Sequence, residues 1–197
     1  MRFPVFPLNG AILFPNTNLP LNIFEERYLD MVDYALSNNR LIGMIQTKEN
    51  KDFFNVGCLG KITNFTETPE GRYRINLEGI NRFKVIKIFE DNNKFIIIDG
   101  ESLKYNSNFR KQTKILSNKL LSSFKNYLSI KKIKFNTSEF ESLDALNLAK
   151  IICVISPLDY LTKQMLLEFD NSDDLCENLI SVLEIEINNN GKGTKIN

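Results

Sequence analysis

Residues 3–46 read FPVFPLNGAILFPNTNLPLNIFEERYLDMVDYALSNNRLIGMIQ, and this run limits the fold more tightly than any other. Segments 3–8, 11–14 and 19–23 are short and apolar, separated by clusters of Pro, Asn and Gly that act as turns. They predict three extended segments. At Glu25 the period changes: Phe24, Tyr28, Met31, Val32, Ala35 and Leu36 recur at helical spacing, with Glu26, Asp30 and Asp33 on another face. Glu25 and Glu26 in the first turn suit the positive end of the helix dipole. Ser37-Asn38-Asn39 closes the helix, and Leu41-Ile42-Gly43-Met44-Ile45 reads as a buried strand.

The stretch 56–103 reads as β throughout. Val56–Thr68 and Arg72–Gly79 flank Pro69-Glu70-Gly71, a turn whose glycine can supply a positive φ. From Arg72 to Glu78 the residues alternate strictly, which puts Tyr73, Ile75 and Leu77 inward and charge outward. Phe83–Phe89 and Phe95–Ile98 continue the meander across an Asp91-Asn92-Asn93 turn. Many short strands with one inserted helix predict a closed or nearly closed small barrel, because closure removes exposed strand edges.

After Lys104 the pattern is helical. A first helix spans 108–130, with Leu116, Leu120, Phe124 and Tyr127 on one face. Ser138 and Glu141 have capping-box spacing and predict a second helix running to Val154. Ser156-Pro157 fits an N-cap with proline at the first helical position, opening a third helix with Leu161, Met165 and Phe169. Ser172-Asp173-Asp174 opens a fourth, with Leu175, Leu179 and Val182 inward, and the polar chain from Asn188 reads as a disordered tail. The expected organisation is α+β: a β-barrel over 1–103 with one inserted helix, a helical bundle over 104–187, and a tail over 188–197.

Several motifs, in this order, resemble the amino-terminal, substrate-binding domain of Lon-type ATP-dependent proteases. They are Phe6-Pro7-Leu8, Leu13-Phe14-Pro15, Leu19-Pro20-Leu21, Ile23-Phe24-Glu25, Arg27-Tyr28 and Gly43-Met44, then Gly57-Cys58-Leu59-Gly60-Lys61-Ile62. Glu70-Gly71-Arg72-Tyr73, Leu77-Glu78-Gly79 and Arg82-Phe83 follow. Ile155-Ser156-Pro157 and Lys163-Gln164 resemble the helical part of stand-alone bacterial members. The similarity covers residues 3–185. It departs at Glu26, where members often carry proline, and glutamate suits a first helical turn as well. The resemblance implies a PUA-like barrel, a helical bundle and a protein or unfolded polypeptide as partner, in proteolysis or protein quality control.

Catalytic machinery is not legible in these residues. The 197 residues contain no histidine, which excludes histidine-based acid–base chemistry and histidine metal ligands. No GxxxxGK[ST] run cradles a nucleotide phosphate, and Gly191-Lys192-Gly193-Thr194 lacks its spacing. Nothing resembles the serine–lysine peptidase domain of Lon. Neither a catalytic set, a metal site nor a cofactor is expected. Cys58, Cys153 and Cys176 have no metal-ligand spacing and read as reduced, buried thiols of a cytoplasmic protein. No run of apolar residues is long enough to span a membrane.

Two groups of residues are candidates for function. Leu19, Leu21, Phe24, Tyr28 and Tyr73 are the partner-binding candidates, each equally at home in a core. Glu25, Arg27 and Arg82 are expected to form structural ion pairs, since an isolated charge in apolar surroundings costs several kcal/mol. Charge is also uneven: Lys104–Lys134 holds nine basic residues and no acidic one, and Phe135–Ile187 holds eleven acidic residues against Lys150 and Lys163. Lys111, Lys114, Lys125 and Lys132 share one face of the first bundle helix. Nucleic acid binding on that ridge is the alternative reading, weighed against a solvated face balanced by acidic helices, with a net charge of only +1. A small-ligand sensor is the third.

Overall fold

The computed structural model describes residues 1–50, 52–89, 94–106 and 114–191. Its packing divides into two units, 1–104 with 157–168, and 105–156 with the chain from 169 onward. The expected boundary near 103 thus marks only the first of three crossings, because Pro157–Glu168 belongs with the strands.

In the strand unit, β1 (Arg2–Pro7), β2 (Asn18–Ile23), β3 (Leu41–Ile45), β4 (Val56–Glu67), β5 (Tyr73–Phe89) and β6 (Ile96–Leu103) form one sheet in the order β2-β5-β4-β3-β1-β6. A further antiparallel ladder joins β5 to β6, so β1, β3, β4, β5 and β6 make a closed circuit of ladders. β5 serves two partners along one edge. Its first half, 73–78, pairs with β2, and its second half, 82–89, pairs with β6. The sequence splits this strand at Gly79, but the ladder to β4 continues through it with a local register shift.

The core of the unit forms where the alternation points inward: Phe3, Val5, Ile45, Leu59, Phe83 and Ile98. Phe3 and Phe83 meet edge to face at 5.0 Å, the arrangement their ring quadrupoles favour. Segment 11–14, expected as a strand, is instead a buried irregular loop. Thr17 explains it: its Oγ1 accepts from Phe14 N and donates to Phe14 O, satisfying polar groups a strand partner would otherwise satisfy. The turn after β4 forms as expected, with Gly71 at φ 73 and Thr68 N bonded to Arg72 O. The Asp91-Asn92-Asn93 turn lies outside the described residues.

Helix α1 (Glu26–Leu36) buries Tyr28, Met31, Val32 and Ala35. Helix α4 (Tyr160–Glu168) belongs to the same unit and buries Lys163, Gln164, Leu166 and Leu167. The expected face, Leu161 and Met165, is instead 50% and 43% exposed. Polar anchoring turns the helix: Gln164 Nε2 donates to Val56 O at 3.0 Å, and Gln46 Nε2 donates to Gln164 Oε1 at 3.2 Å. A buried amide is retained in the interior only when so bonded.

The second unit packs α2 (Lys114–Ile130), α3 (Ala145–Ile155) and α5 (Ser172–Gly191) around Leu120, Phe124, Tyr127, Leu148, Ile152 and Leu179. Residues 108–113, expected in the first helix, lie outside the described residues. The expected cap at Ser138 opens only a short 3-10 turn over Ser138–Ser142. Asp144 caps α3 instead, its carboxylate accepting from Asn147 N at 2.9 Å. Ser156 is the C-cap of α3, and Pro157 beyond it ends that helix. Asp159 takes the capping position before α4, accepting from Thr162 N at 3.0 Å. Helix α5 runs through Asn188–Asn190, where the sequence predicts a tail to begin, and residues 192–197 lie outside the described residues.

Candidate functional site

The register of three strands gathers apolar side chains on one face of the strand unit. Leu19, Leu21 and Ile23 of β2 oppose Leu77, Ile75 and Tyr73 of β5. On the other side of β5, Ile62 opposes Leu77, Phe65 opposes Ile75 and Glu67 opposes Tyr73. Side chains directly opposite across a ladder share a face, so these rows form one surface. Ile23, Ile75, Leu77 and Ile62 are buried, whereas Leu19, Leu21 and Tyr73 are half-buried and Phe65 is 40% exposed.

Tyr73 is held from two sides. Its hydroxyl donates to Asp33 Oδ2 of α1 at 3.3 Å, and its ring meets Phe65 edge to face at 4.9 Å. Desolvation raises its pKa above the ordinary phenol value, and the Asp33 bond adds to the effect. Phe24, where the chain leaves β2, is 65% exposed despite its place in the helical pattern. It precedes the first helical residue, so the helix does not turn it inward. Tyr28 goes the other way: it is 7% exposed and packs on Phe6 at 4.4 Å. Burial raises its pKa most, opposed by the positive charge of Arg27.

The three charged candidates separate. Glu25, the N-cap residue of α1, pairs with Arg27 Nη2 at 2.9 Å, and the Arg27 guanidinium lies 4.4 Å from the Tyr28 ring centroid. Both side chains are about half exposed, so the pair contributes at most about 1 kcal/mol. Arg82 is fully buried on β5 and donates to Leu167 O at 3.0 Å and Lys104 O at 3.3 Å. It clamps main chain and takes no part in the Glu25–Arg27 pair.

Sequence reasoning passed over Phe65. Counting outward from the 69–71 turn would have placed it opposite Ile75, on the face of Tyr73. Tyr34 of α1, 38% exposed and 5.4 Å from Phe95, was also passed over. Among the described residues no group of acidic or cysteine side chains could hold a metal, and no helix is long and apolar enough to cross a membrane.

A strand circuit with an outlying edge strand, a half-exposed apolar face and five helices describes a mixed α+β protein. The model of the ATP-dependent protease La (LON) substrate-binding domain matches residues 2–184, and the chain belongs to that family. It is 26% identical over 198 residues to the Lon protease of Buchnera aphidicola subsp. Schizaphis graminum, and 25% identical over 198 residues to that of Escherichia coli K12. Each alignment takes in 95% of this chain and 25% of the relative, so the chain spans about a quarter of the length of these curated relatives. The N-terminal domain of a Mycobacterium avium complex Lon protease shares the fold with a TM-score of 0.77 at 16% identity, covering 93% of this chain and 98% of that one. A Lon N-terminal domain protein from Xanthomonas campestris does so at 0.70 and 20% identity, covering 92% and 98%.

Proposed function

We propose that this chain binds extended or unfolded polypeptide through the face of Leu19, Leu21, Phe65 and Tyr73, with Phe24 at its margin, and performs no catalysis of its own. The observation that carries the reading is an apolar, half-exposed row on a strand whose outer edge has no ladder partner among the described residues. The edge of β2 offers main-chain acceptors and, except at Pro20, donors to clients of any sequence, and apolar neighbours add affinity without demanding one side chain. That combination suits a receptor for many clients. Membership of a substrate-binding domain family supports the same partner class. In this reading the chain presents clients for proteolysis or quality control, in the cytoplasm, where three free and buried cysteines stay reduced.

Fluorescence anisotropy with a reduced, carboxymethylated polypeptide tests it. Complete burial of a phenylalanine is worth roughly 1.5–3 kcal/mol, and these rings are partly covered already. Replacing Phe24 and Phe65 together by serine is expected to weaken binding about tenfold or more. Unchanged affinity in a variant with an unaltered circular dichroism spectrum would reject this face.

A further inference from the structure

The second unit carries an open groove of about 540 Å³ at the end of α2, a volume within the range of ligand pockets. Its making is local. Helix α2 stops in a left-handed cap, with Lys132 at φ 56, Lys132 N bonded to Ser129 O and Ile133 N bonded to Leu128 O. That cap redirects the chain so that residues 133–137 line the groove together with Lys125 and Leu128 of the helix.

Apolar groups are fixed there yet left uncovered. Ile133 is 37% exposed and Phe135 47%, and Phe135 is held by Phe140 at 5.6 Å and Phe124 at 6.5 Å. The chain that builds the groove is basic, and two carboxylates from elsewhere offset part of that charge. From Lys114 to Lys134 the sequence has six lysines and no carboxylate. Lys125 is bridged by Glu141 at 3.2 Å and Lys131 by Glu186 at 2.8 Å. Lys132 and Lys134 are exposed and make no ion pair among the described residues.

We propose that this groove binds an acidic, apolar polypeptide segment, its apolar side chains seated on Leu128, Ile133 and Phe135 and a carboxylate facing Lys134, with the exposed Lys132, just before Ile133 in the chain, adding to the positive field. The basic ridge legible in the sequence thereby finds a use other than nucleic acid. A phosphate backbone needs a run of available cations along its length. Partnering of Lys125 leaves Lys134 as the groove-lining lysine without an ion pair among the described residues, enough for one carboxylate beside an apolar anchor. The site lies within the helical unit and does not depend on the β2 face.

The test is anisotropy of the whole chain with three labelled probes: a peptide alternating Leu or Phe with Glu, the same peptide with Lys for Glu, and oligouridylate. The acidic peptide is expected to bind, the basic one at least about tenfold more weakly. Lys132→Glu with Lys134→Glu should reduce acidic-peptide affinity about tenfold, and Ile133→Ser alone should reduce it several-fold. Phe24→Ser with Phe65→Ser should leave it unchanged, which separates this site from the strand face. Equal binding of the two peptides, no binding of either, or an unaffected charge-reversed variant with an intact fold would overturn the proposal. Tight oligouridylate binding that falls steeply with salt would assign the groove to nucleic acid instead. Self-association lost on Lys134→Glu would assign it to a second copy, and either result rejects the peptide.

Discussion

Arg82, in the middle of β5, donates from Nη1 to the main-chain carbonyl of Leu167 near the end of α4, at 3.0 Å. The same guanidinium reaches Lys104 O at 3.3 Å, so one buried cation holds the chain just before two of its crossings into the helical unit.

Arg82→Met is therefore expected to destabilise the protein by about 2 kcal/mol, since it strands the buried Leu167 carbonyl and releases the part-buried carbonyl of Lys104. Urea unfolding followed by circular dichroism measures it. Polypeptide affinity of the folded variant should match that of the parent, because the guanidinium does not reach the β2 face. Loss of affinity at unchanged stability would contradict a structural role.

Gly79 has a second kind of necessity. Its N–H donates to Thr17 O at 2.9 Å and its carbonyl accepts from Asn16 N at 2.8 Å, which draws the buried 11–17 loop against β5. A Cβ at this position would overlap the Phe14 carbonyl oxygen, and main chain cannot swing aside as a side chain can. Gly79→Ala should cost about 3 kcal/mol or more. Gly10→Ala, where the added carbon meets open space and only the positive φ is strained, should cost about 1 kcal/mol. Equal costs in thermal melts would remove the steric argument.

Cys176 is buried on α5, and desolvation is the main cause that pushes its pKa up to about 12, reinforced by Asp173 and Asp144. Native protein at pH 8 is expected to react with a disulfide reagent at Cys176 far more slowly than protein in denaturant. Because folding raises the pKa, the thiol's contribution to stability is complete below about pH 9 and is lost as pH rises towards about 12. Replacing Cys176 by alanine should flatten that alkaline decline. Rapid native labelling would show that the site opens readily.

Lys132 sits in the left-handed region at the end of α2, a place where glycine pays no steric cost. Lys132→Gly should stabilise the protein by about 0.5 kcal/mol, the relieved strain exceeding the added freedom of the unfolded chain. Lys132→Asn is expected to fall between the two in chemical denaturation. A less stable glycine variant would mean that the lysine side chain contributes more than its backbone costs.

Much was legible before any coordinates. Alternation at 73–77, the turn glycine at 71, the helical period after Glu25 and the existence of four later helices follow from local physics, which acts over a few residues and so is written in local spacing. The expected caps at Ser138 and Ser156 failed for the same locality: Asp144 and Asp159 offered competing side-chain acceptors nearby, and short-range motifs do not rank such rivals. Among the residues proposed for the candidate face, Leu19, Leu21, Phe24 and Tyr73 were singled out by type, whereas Tyr28 is buried and Phe65 shares that face only through register.

By itself, then, the sequence determined an α+β chain of the Lon substrate-binding family, with short strands, one early helix and no histidine chemistry. Tertiary structure decided the rest. It gave β5 two successive partners, turned Gln164 inward and Leu161 outward, placed α4 with the strands, and set Arg82 beneath two carbonyls. Each of these is a choice among partners far apart in the chain, settled by which arrangement buries apolar surface while leaving the fewest buried polar groups unpaired.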